Sequence, residues 1–522
     1  MRYEELLRES ARRHGERAAI VHEEGRTTYA EFDAAADRFA AALVHHAGFE
    51  NGDRCVLFLD NRFETAAGIF GTLRAGGIFS VINPTTKADK LAYVLNNCEA
   101  TVLVTQASLL ETARVAALQA PSVRRIVVVG GSAGDSGTLD YAGFLSAAPA
   151  RLQNHSPGID IDLAMLVYTS GSTGQPKGVM MTHQNMVHAA TSITTYLRNS
   201  EDDIVLSVLP LAFDYGLYQL LMCVKMGSTL LLGKSFVFPQ KILPMLAAER
   251  VSGFPLVPTM AALIVQLKNF DPTWAASVRY LTNTAAALPP AHIAKLQEMF
   301  PQARVYSMYG MTESKRCTYL PPEQLAHRPT SVGIAIPGTE VWVADDAGQR
   351  LGPNVVGELV VRGGHVMQGY WRNDEATARV LKQGRYPWER VLHTGDLFRM
   401  DDEGYFYFVG RKDDILKSRG EKVSPKEIEN VLYALPGIRE AAIVGMPDPI
   451  LGMSLKAILV LAEGAQLSPR DVMAHCAAHL EDFMVPRTVE FRDALPKTNT
   501  GKIRRAALQA EAEGRAFEAE DS

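Results

Sequence analysis

The chain has 522 residues, 47% hydrophobic and 21% charged, which is ordinary for a globular protein too long to form one core. Its formal net charge of -5 gives no basic surface of the kind that binds nucleic acid or anionic membranes. The five scattered cysteines, the charged N-terminus and the lack of a bilayer-length apolar run predict a cytoplasmic enzyme with reduced thiols and no integral membrane association.

Short apolar runs alternate with helical patterns through most of the chain. Buried strands are predicted at 54–59, 101–105, 125–130, 163–168, 228–233 and 304–310. Helices are predicted at 34–46 and 290–300. The alternation predicts an α/β protein with layered subdomains and largely parallel sheets.

Two later changes of pattern predict further units. From about Gly333 the strands are more closely spaced and separated by Gly and Asp turns, which predicts a β-rich, more antiparallel subdomain. Farther on, Ser424 and Ser468 each precede a proline and begin a predicted helix, as in a small α+β unit. We therefore predict a large N-terminal domain at 1–410 and a separate small C-terminal domain at 411–522.

The stretch YTSGSTGQPKGVMMTH, residues 168–183, concentrates glycine, Ser/Thr hydroxyls and one lysine. It lies between a predicted strand and a helix that Thr182 can cap, so we predict a strand-to-helix connection. Such a loop either wraps phosphate with backbone N–H groups or is an ordinary turn. It is not a Walker A loop, because Pro176 and Lys177 stand where that motif has Gly-Lys.

Six motifs together resemble the adenylate-forming superfamily of acyl-CoA synthetases, peptide-synthetase adenylation domains and luciferases. In chain order they are TSGSTGQPKG at 169–178, YGMTE at 309–313, GEL at 357–359, TGD at 394–396, GRKDDILK at 410–417, and MVP at 484–486 with LPKTNTGK at 495–502. Their order is that of the family, and they span most of the chain. The resemblance implies a large N-terminal domain, a small mobile C-terminal domain and an active site between them.

The resemblance also implies the reaction. A carboxylate attacks the α-phosphate of ATP, with Mg²⁺, to give an acyl-adenylate and pyrophosphate, and a thiol then takes the acyl group. The implied ATP-binding residues are Thr169, Ser170, Gly171, Ser172, Thr173, Gly174, Lys177, Tyr309, Gly310, Thr312, Asp396, Arg411 and Lys502. The implied catalytic residues are Lys502, Lys177, Glu313 and Thr173.

Each implied role helps to overcome the electrostatic repulsion between the substrate carboxylate and the polyphosphate of ATP. Lys177 stabilises the departing pyrophosphate, and Glu313 is the candidate Mg²⁺ ligand. Asp396 accepts hydrogen bonds from the ribose hydroxyls, assisted by Arg411. Lys502 bridges the substrate carboxylate and the α-phosphate. Without the resemblance, the lysines are typical of surface charges, Glu313 of a helix cap and the TGD motif of a turn.

The second half-reaction is implied to need a rotation of the small domain. Asp413 occupies the hinge position, followed by Lys417. Gly420 is expected beside the thiol tunnel, where only a missing side chain leaves room. We predict that Gly420→Leu spares adenylation and blocks thioester formation.

The acid pocket is implied to include Phe213, Asp214, Ala285, Ala286 and Ala287. Asp214 either pairs with a substrate ammonium group or caps the helix that follows it. The alanines, where the family commonly has glycine, narrow the pocket and favour a compact acid.

Lys315 and Arg316 follow the YGMTES segment. They either meet a second anionic group of the acid or face water.

The predicted function is therefore an AMP-forming acid–thiol ligase, with a small carboxylic or amino acid as substrate and coenzyme A as the expected thiol. One alternative is a stand-alone amino-acid adenylating enzyme that loads the phosphopantetheine arm of a separate carrier protein. Another is a catalytically silent sensor of nucleotide or acyl groups. Nucleic acid is not an expected partner.

Overall fold

The structure is a computed structural model that describes residues 1–23, 25–131, 138–152, 155, 157–169, 175–284, 288–412, 416–418, 421–448, 452–480, 484–498 and 502–514. Its α-helices are α1 (Glu4–His14), α2 (Tyr29–Ala47), α3 (Phe63–Arg74), α4 (Ala88–Asn97), α5 (Leu110–Leu118), α6 (Tyr141–Ser146), α7 (His183–Leu197), α8 (Asp214–Met226), α9 (Pro239–Ala248), α10 (Pro258–Val265), α11 (Pro290–Met299), α12 (Asp374–Val380), α13 (Pro425–Ala434), α14 (Pro469–His479) and α15 (Arg505–Ala512). Short 3-10 helices occupy Ala107–Leu109, Pro272–Ala275 and Pro322–Gln324.

The strands of the first half of the chain are β1 (Ala18–His22), β2 (Gly25–Thr28), β3 (Arg54–Phe58), β4 (Ile78–Ile82), β5 (Ala100–Gln106), β6 (Arg125–Val129), β7 (Thr138–Asp140), β8 (Leu163–Thr169), β9 (Lys177–Thr182), β10 (Ile204–Ser207), β11 (Thr229–Leu232) and β12 (Gly253–Leu256). Those of the second half are β13 (Tyr280–Asn283), β14 (Arg304–Tyr309), β15 (Thr318–Tyr319), β16 (Ile334–Ala335), β17 (Thr339–Ala344), β18 (Val356–Gly363), β19 (Gly369–Tyr370), β20 (Leu381–Gln383), β21 (Arg390–Met400), β22 (Phe406–Arg411), β23 (Leu416–Ser418), β24 (Glu421–Val423), β25 (Ile438–Asp448), β26 (Gly452–Leu461) and β27 (Thr488–Phe491). The strands and helices predicted from apolar runs and helical patterns are therefore confirmed.

Two large mixed sheets form the first part of the fold. One has the strand order β16-β15-β14-β13-β12-β10-β11-β1-β2 and is parallel from β14 to β1. The other has the order β19-β9-β8-β4-β3-β5-β6-β7 and is parallel from β8 to β7. Helices between successive strands cover the faces, as parallel connections require. The expected α/β layers with largely parallel sheets are confirmed.

Smaller antiparallel sheets follow. Strands β17-β18-β21-β20, with β22 on β21, form the expected β-rich subdomain. Beyond it lie the β23–β24 hairpin and the three-stranded sheet β25-β26-β27. Ser424 and Ser468 cap α13 and α14, each with a proline in the first turn, as predicted. The hydrophobic cores of the two parts of the chain are separate: one cluster of buried residues runs from Tyr3 to Phe406, and two others lie between Val423 and Leu508.

The glycine-rich loop joins two antiparallel strands, β8 and β9, so the predicted strand-to-helix connection is wrong. Strand β9 pairs with β8 on one side and with the short β19 on the other, which satisfies its backbone groups on both edges. The continuous apolar run in β9 carried no alternation to mark it as a strand, and its β19 partner is remote in sequence. The helix cap is confirmed: Thr182 caps α7 in a capping box with Asn185.

All five cysteines are buried and unpaired, as expected of reduced packing residues. Among the residues that the structure describes, no helix combines the length and apolarity needed to cross a bilayer.

Candidate active site

Tyr309, Asp396 and Arg411 come together where β14 meets β21 and β22. The Tyr309 hydroxyl donates to Asp396 Oδ2 at 2.6 Å, and Arg411 Nε lies 3.5 Å from Asp396 Oδ1. Burial and the neighbouring Asp396 charge raise the pKa of Tyr309 well above its ordinary value. The Tyr309 hydroxyl therefore stays protonated and acts as a hydrogen-bond donor. The Asp396 carboxylate beside it is a group that can accept hydrogen bonds from hydroxyl groups.

A second cluster joins Lys177, Glu313 and Tyr370. The Tyr370 hydroxyl donates to Glu313 Oε1 at 2.7 Å, and Lys177 Nζ lies 5.4 Å from the centre of the Tyr370 ring. Tyr370 belongs to β19, which pairs with β9, the strand that Lys177 begins. One aromatic side chain thus contacts both the predicted phosphate-side lysine and the predicted metal ligand.

Sequence reasoning missed Tyr370. The Gly369-Tyr370-Trp371 triplet is a local signal that could have indicated it, since a glycine before two large aromatic residues permits an unusual backbone conformation, and in the structure Gly369 has a φ of 138°. Trp371 then donates its backbone N–H to the Gly178 carbonyl, which fastens this segment to the end of the glycine-rich loop.

Gly310 and Thr312 shape the turn that carries Glu313. A Cβ at Gly310 would lie 2.1 Å from the Lys315 carbonyl oxygen, so the turn passes directly against this glycine. The Thr312 carbonyl accepts a hydrogen bond from Lys315 Nζ at 2.9 Å, and Lys315 itself has φ of 61°. In this structure the contacts of both residues are within the protein; their predicted role in binding ATP stays a prediction.

Lys502 is close enough to the first two clusters to interact with their charges. Desolvation of the ammonium group and the Arg411 charge lower its pKa, against the attraction of Asp396 and Glu313. The residue as a whole remains exposed. The C-terminal region thus presents a lysine to the face that carries the predicted ribose and metal ligands.

Asp214 has partners that the sequence did not predict. It is the first residue of α8, whose N-terminus has no side-chain cap, so the capping prediction is wrong. Its carboxylate instead contacts Lys315 Nζ at 2.8 Å and Arg316 Nη1 at 3.4 Å. Of the two alternatives for Lys315 and Arg316, the one in which they face water is wrong, because both are buried. Because Lys315 and Arg316 neutralise the Asp214 charge, Asp214 does not need a substrate ammonium group as its partner. The argument for an amine-bearing acid is therefore removed.

Several predicted site residues lie outside the described residues: Ser170, Gly171, Ser172, Thr173, Gly174, Ala285, Ala286, Ala287, Asp413 and Gly420. Thr169 pairs with Lys177 at the base of the β8–β9 hairpin. Lys417 pairs through its backbone with Lys422 in the β23–β24 hairpin. Phe213 precedes α8 in an extended conformation.

The residues present suit Mg²⁺ bound together with a polyphosphate. Such an ion takes one or two carboxylates and completes its shell with phosphate oxygens and water. Glu313, with one oxygen held by Tyr370, is a carboxylate of this kind. In the described ranges no three His, Cys, Asp or Glu side chains converge, so an all-protein metal cage is not the arrangement there.

The fold and the site agree with those expected of the AMP-forming acid–thiol ligases, which join a carboxylic acid to a thiol through an adenylate. The chain belongs to the AMP-binding enzyme family: that family's model matches residues 7–371, and the model of the AMP-binding enzyme C-terminal domain matches 427–502. The superfamily inferred from the six motifs is thereby confirmed.

Relatives and solved structures agree with this membership. A feruloyl-CoA synthase of Amycolatopsis sp is 34% identical over 488 residues, covering 93% of this chain and 94% of the relative. A long-chain-fatty-acid–CoA ligase of Bacillus subtilis is 30% identical over 539 residues, covering 97% and 94%. The crystal structure of the anthranilate CoA ligase AuaEII with anthranoyl-AMP has a TM-score of 0.89 at 26% identity, covering 98% of this chain and 97% of that one.

Proposed function

We propose that this enzyme converts a small carboxylic acid to its acyl-adenylate with ATP and then transfers the acyl group to coenzyme A. The observation that carries the proposal is the pair of clusters formed by Tyr309, Asp396 and Arg411 and by Lys177, Glu313 and Tyr370. Desolvation lowers the pKa of Lys502 and the charges of Asp396 and Glu313 oppose this, which supports a place for Lys502 beside both clusters. Coenzyme A as acceptor is supported by the relatives, which are named as CoA synthases and ligases.

In the first half-reaction, a carboxylate oxygen attacks the α-phosphorus and pyrophosphate leaves. Tyr309, Asp396 and Arg411 hold the nucleoside, and Lys177 with the glycine-rich loop holds the β- and γ-phosphates. Glu313 would bind Mg²⁺, whose charge offsets that of the polyphosphate. Lys502 brings the carboxylate to the α-phosphate and stabilises the charge that develops there.

In the second half-reaction, the thiol sulfur attacks the acyl carbon. A C–S bond forms, the bond from the acyl carbon to the phosphate oxygen breaks, AMP leaves with the electron pair, and the thiol proton passes to solvent. Lys502 and the thiol need the same space, so the domain at 411–522 turns about Asp413 between the steps, and Gly420 then borders the thiol tunnel. We also propose a cytoplasmic location, which the five buried, unpaired cysteines support.

The test is acid-dependent exchange of labelled pyrophosphate into ATP, over a panel of aliphatic, aromatic and amino acids. Acids that support exchange are then incubated with ATP, Mg²⁺ and either coenzyme A or a phosphopantetheinylated carrier protein, and the thioesters are identified by mass spectrometry. We expect exchange and an acyl-CoA product. Loading of the carrier protein alone would favour the adenylating-enzyme alternative, and no exchange with any acid would favour the sensor.

A further inference from the structure

Three charged residues form a buried group, here called the Arg316 cluster: Asp214, Lys315 and Arg316. Their side chains are 12%, 0% and 4% exposed. Two cations face one carboxylate, so the cluster carries an excess positive charge. Burial of a charge without a counter-ion is costly, so an uneven cluster calls for a further anion.

Lys315 has its partners within the protein. Its Nζ contacts Asp214 Oδ1 at 2.8 Å, donates to the Thr312 carbonyl at 2.9 Å and lies 5.9 Å from the centre of the Tyr218 ring. Asp214 is thus mainly the partner of Lys315.

Arg316 has fewer partners for its hydrogen-bond donors. In the part of the chain that the structure describes, both of its side-chain hydrogen bonds leave from Nη1, to the Lys315 carbonyl at 2.8 Å and to Asp214 Oδ2 at 3.4 Å. Its Nε is buried and has no hydrogen-bond partner among the described residues. The guanidinium lies 4.7 Å from the centre of the Tyr215 ring, which fixes its plane. A guanidinium has five N–H groups in a planar fork that suits a carboxylate.

The Arg316 cluster lies where the acid must be bound if the proposed function holds. Arg316 follows Glu313 by three residues, so their Cα atoms are at most about 11 Å apart. Tyr215 donates its hydroxyl to the Thr282 carbonyl near the carboxyl end of β13. Ligands of open parallel sheets bind at the carboxyl ends of the strands. A compact acid reacting beside Glu313 therefore reaches the guanidinium with its far end.

We propose that Arg316 binds a second carboxylate of the substrate, so that the enzyme activates a compact dicarboxylic acid. The inference rests on the proposed function and names the substrate class of that site. The second carboxylate supplies the anion that the cluster lacks and accepts hydrogen bonds from the guanidinium. A substrate ammonium group would instead add a third cation.

The first test compares matched acids with the wild-type enzyme. Succinate, glutarate and adipate are each compared with their monoamides, which keep the shape and remove the far charge. We expect pyrophosphate exchange with the best diacid to have a kcat/KM about 10- to 100-fold above that of its monoamide. Equal or better exchange with the monoamides, or with unsubstituted monoacids, would overturn the inference and leave the proposed function standing. No exchange with any acid, including those of the wider panel, would overturn both.

The second test replaces the guanidinium. In Arg316→Gln we expect the KM for the diacid to rise about 10- to 100-fold while the KM for ATP and exchange with the monoamide stay near wild type. Arg316→Lys keeps the charge and should recover part of the loss. The control is Arg279→Gln, which removes a bidentate partner of the buried Asp203 at the other end of β13. A parallel loss with diacid and monoamide in Arg316→Gln, without recovery in Arg316→Lys, would assign Arg316 a structural role only.

Discussion

Tyr370 and Glu313 are joined by a 2.7 Å hydrogen bond in which the phenol donates to Oε1 of the carboxylate. They lie 57 residues apart in the chain, Tyr370 in β19 and Glu313 in the turn between β14 and β15. Burial and the Glu313 charge raise the pKa of Tyr370 well above its ordinary value, so the phenol stays protonated and keeps donating at any working pH. The bond fixes one oxygen of the predicted Mg²⁺ ligand and directs the carboxylate.

Tyr370→Phe tests this positioning role. The ring that packs against Lys177 remains, and the hydroxyl that holds Glu313 is lost. We expect pyrophosphate exchange to fall about 10-fold or more at fixed Mg²⁺, with the Mg²⁺ concentration for half-maximal rate shifted upward. The matched control is Tyr407→Phe, which removes a tyrosine–carboxylate bond to Asp401 in the β-rich subdomain. An unchanged Mg²⁺ dependence in Tyr370→Phe would count against the role.

Lys502→Ala tests the approach of the C-terminal region. The proposed bridge between carboxylate and α-phosphate is lost, so we expect exchange to fall about 100-fold or more. Thioester formation from a synthetic acyl-adenylate should remain near wild type, because that step uses the other domain position. Lys497→Ala is the control, since Lys497 pairs with Glu440 inside the same region. Near-normal exchange in Lys502→Ala would contradict the assignment.

Gly310→Ala tests the tight turn beside Lys315. The added methyl group would lie 2.1 Å from the Lys315 carbonyl oxygen and 2.9 Å from Arg316 Cα, and backbone atoms cannot move aside cheaply. We expect a loss of about 1–3 kcal/mol in the free energy of unfolding and a higher KM for the acid. Gly352→Ala, at a site with no neighbouring atom within 4 Å, should change neither quantity. Thermal unfolding and exchange kinetics measure both.

His365 makes stability depend on pH. It stacks on His188 at 5.5 Å, and burial, with the His188 and Lys315 charges, lowers its pKa to about 3. His365 therefore takes up a proton near pH 6.5 in the unfolded chain but stays neutral in the folded chain until the pH approaches 3. The free energy of unfolding falls as pH falls from about 6.5 towards 3, by about 1.4 kcal/mol per pH unit at most.

We expect His365→Gln to flatten the dependence of unfolding free energy on pH between 6 and 4. His183, whose pKa burial also lowers to about 3, keeps part of the dependence in the variant. Exposed His479→Gln serves as the control. An identical pH slope in wild type and His365→Gln would show that His365 is not the group responsible.

Local signals in the sequence were sufficient for several buried strands, for several helix starts and for the family. Apolar runs identified the strands, and Thr182, Ser424 and Ser468 marked helix starts, because a cap acts within one turn. The hairpin at the glycine-rich loop was missed because the apolar run of β9, Val179 to Met181, shows no strand alternation and directly precedes the helix cap Thr182.

Contacts between residues that are far apart in the sequence also limited the prediction of the site. Motifs identified Lys177, Glu313, Asp396, Arg411 and Lys502 one at a time. The Arg316 cluster could not be predicted, because Asp214 and Arg316 are 102 residues apart and only the fold brings them together. The sequence suggested that Asp214 could pair with a charged group of a ligand, but in the structure Lys315 and Arg316 neutralise it.

Both large sheets contribute to the site: Tyr309 ends β14 of one sheet and Glu313 follows it, whereas Lys177 begins β9 of the other. The phosphate-side hairpin and Tyr370 belong to the sheet built on β8 and β9, whereas the Arg316 cluster follows β14 and begins α8 on the other sheet. If Arg316 binds the acid as proposed, only a few residues of the β14–β15 segment and the start of α8 need to change for a different acid to be accepted. Tyr309 and Glu313, in the same segment, can then be kept for ATP.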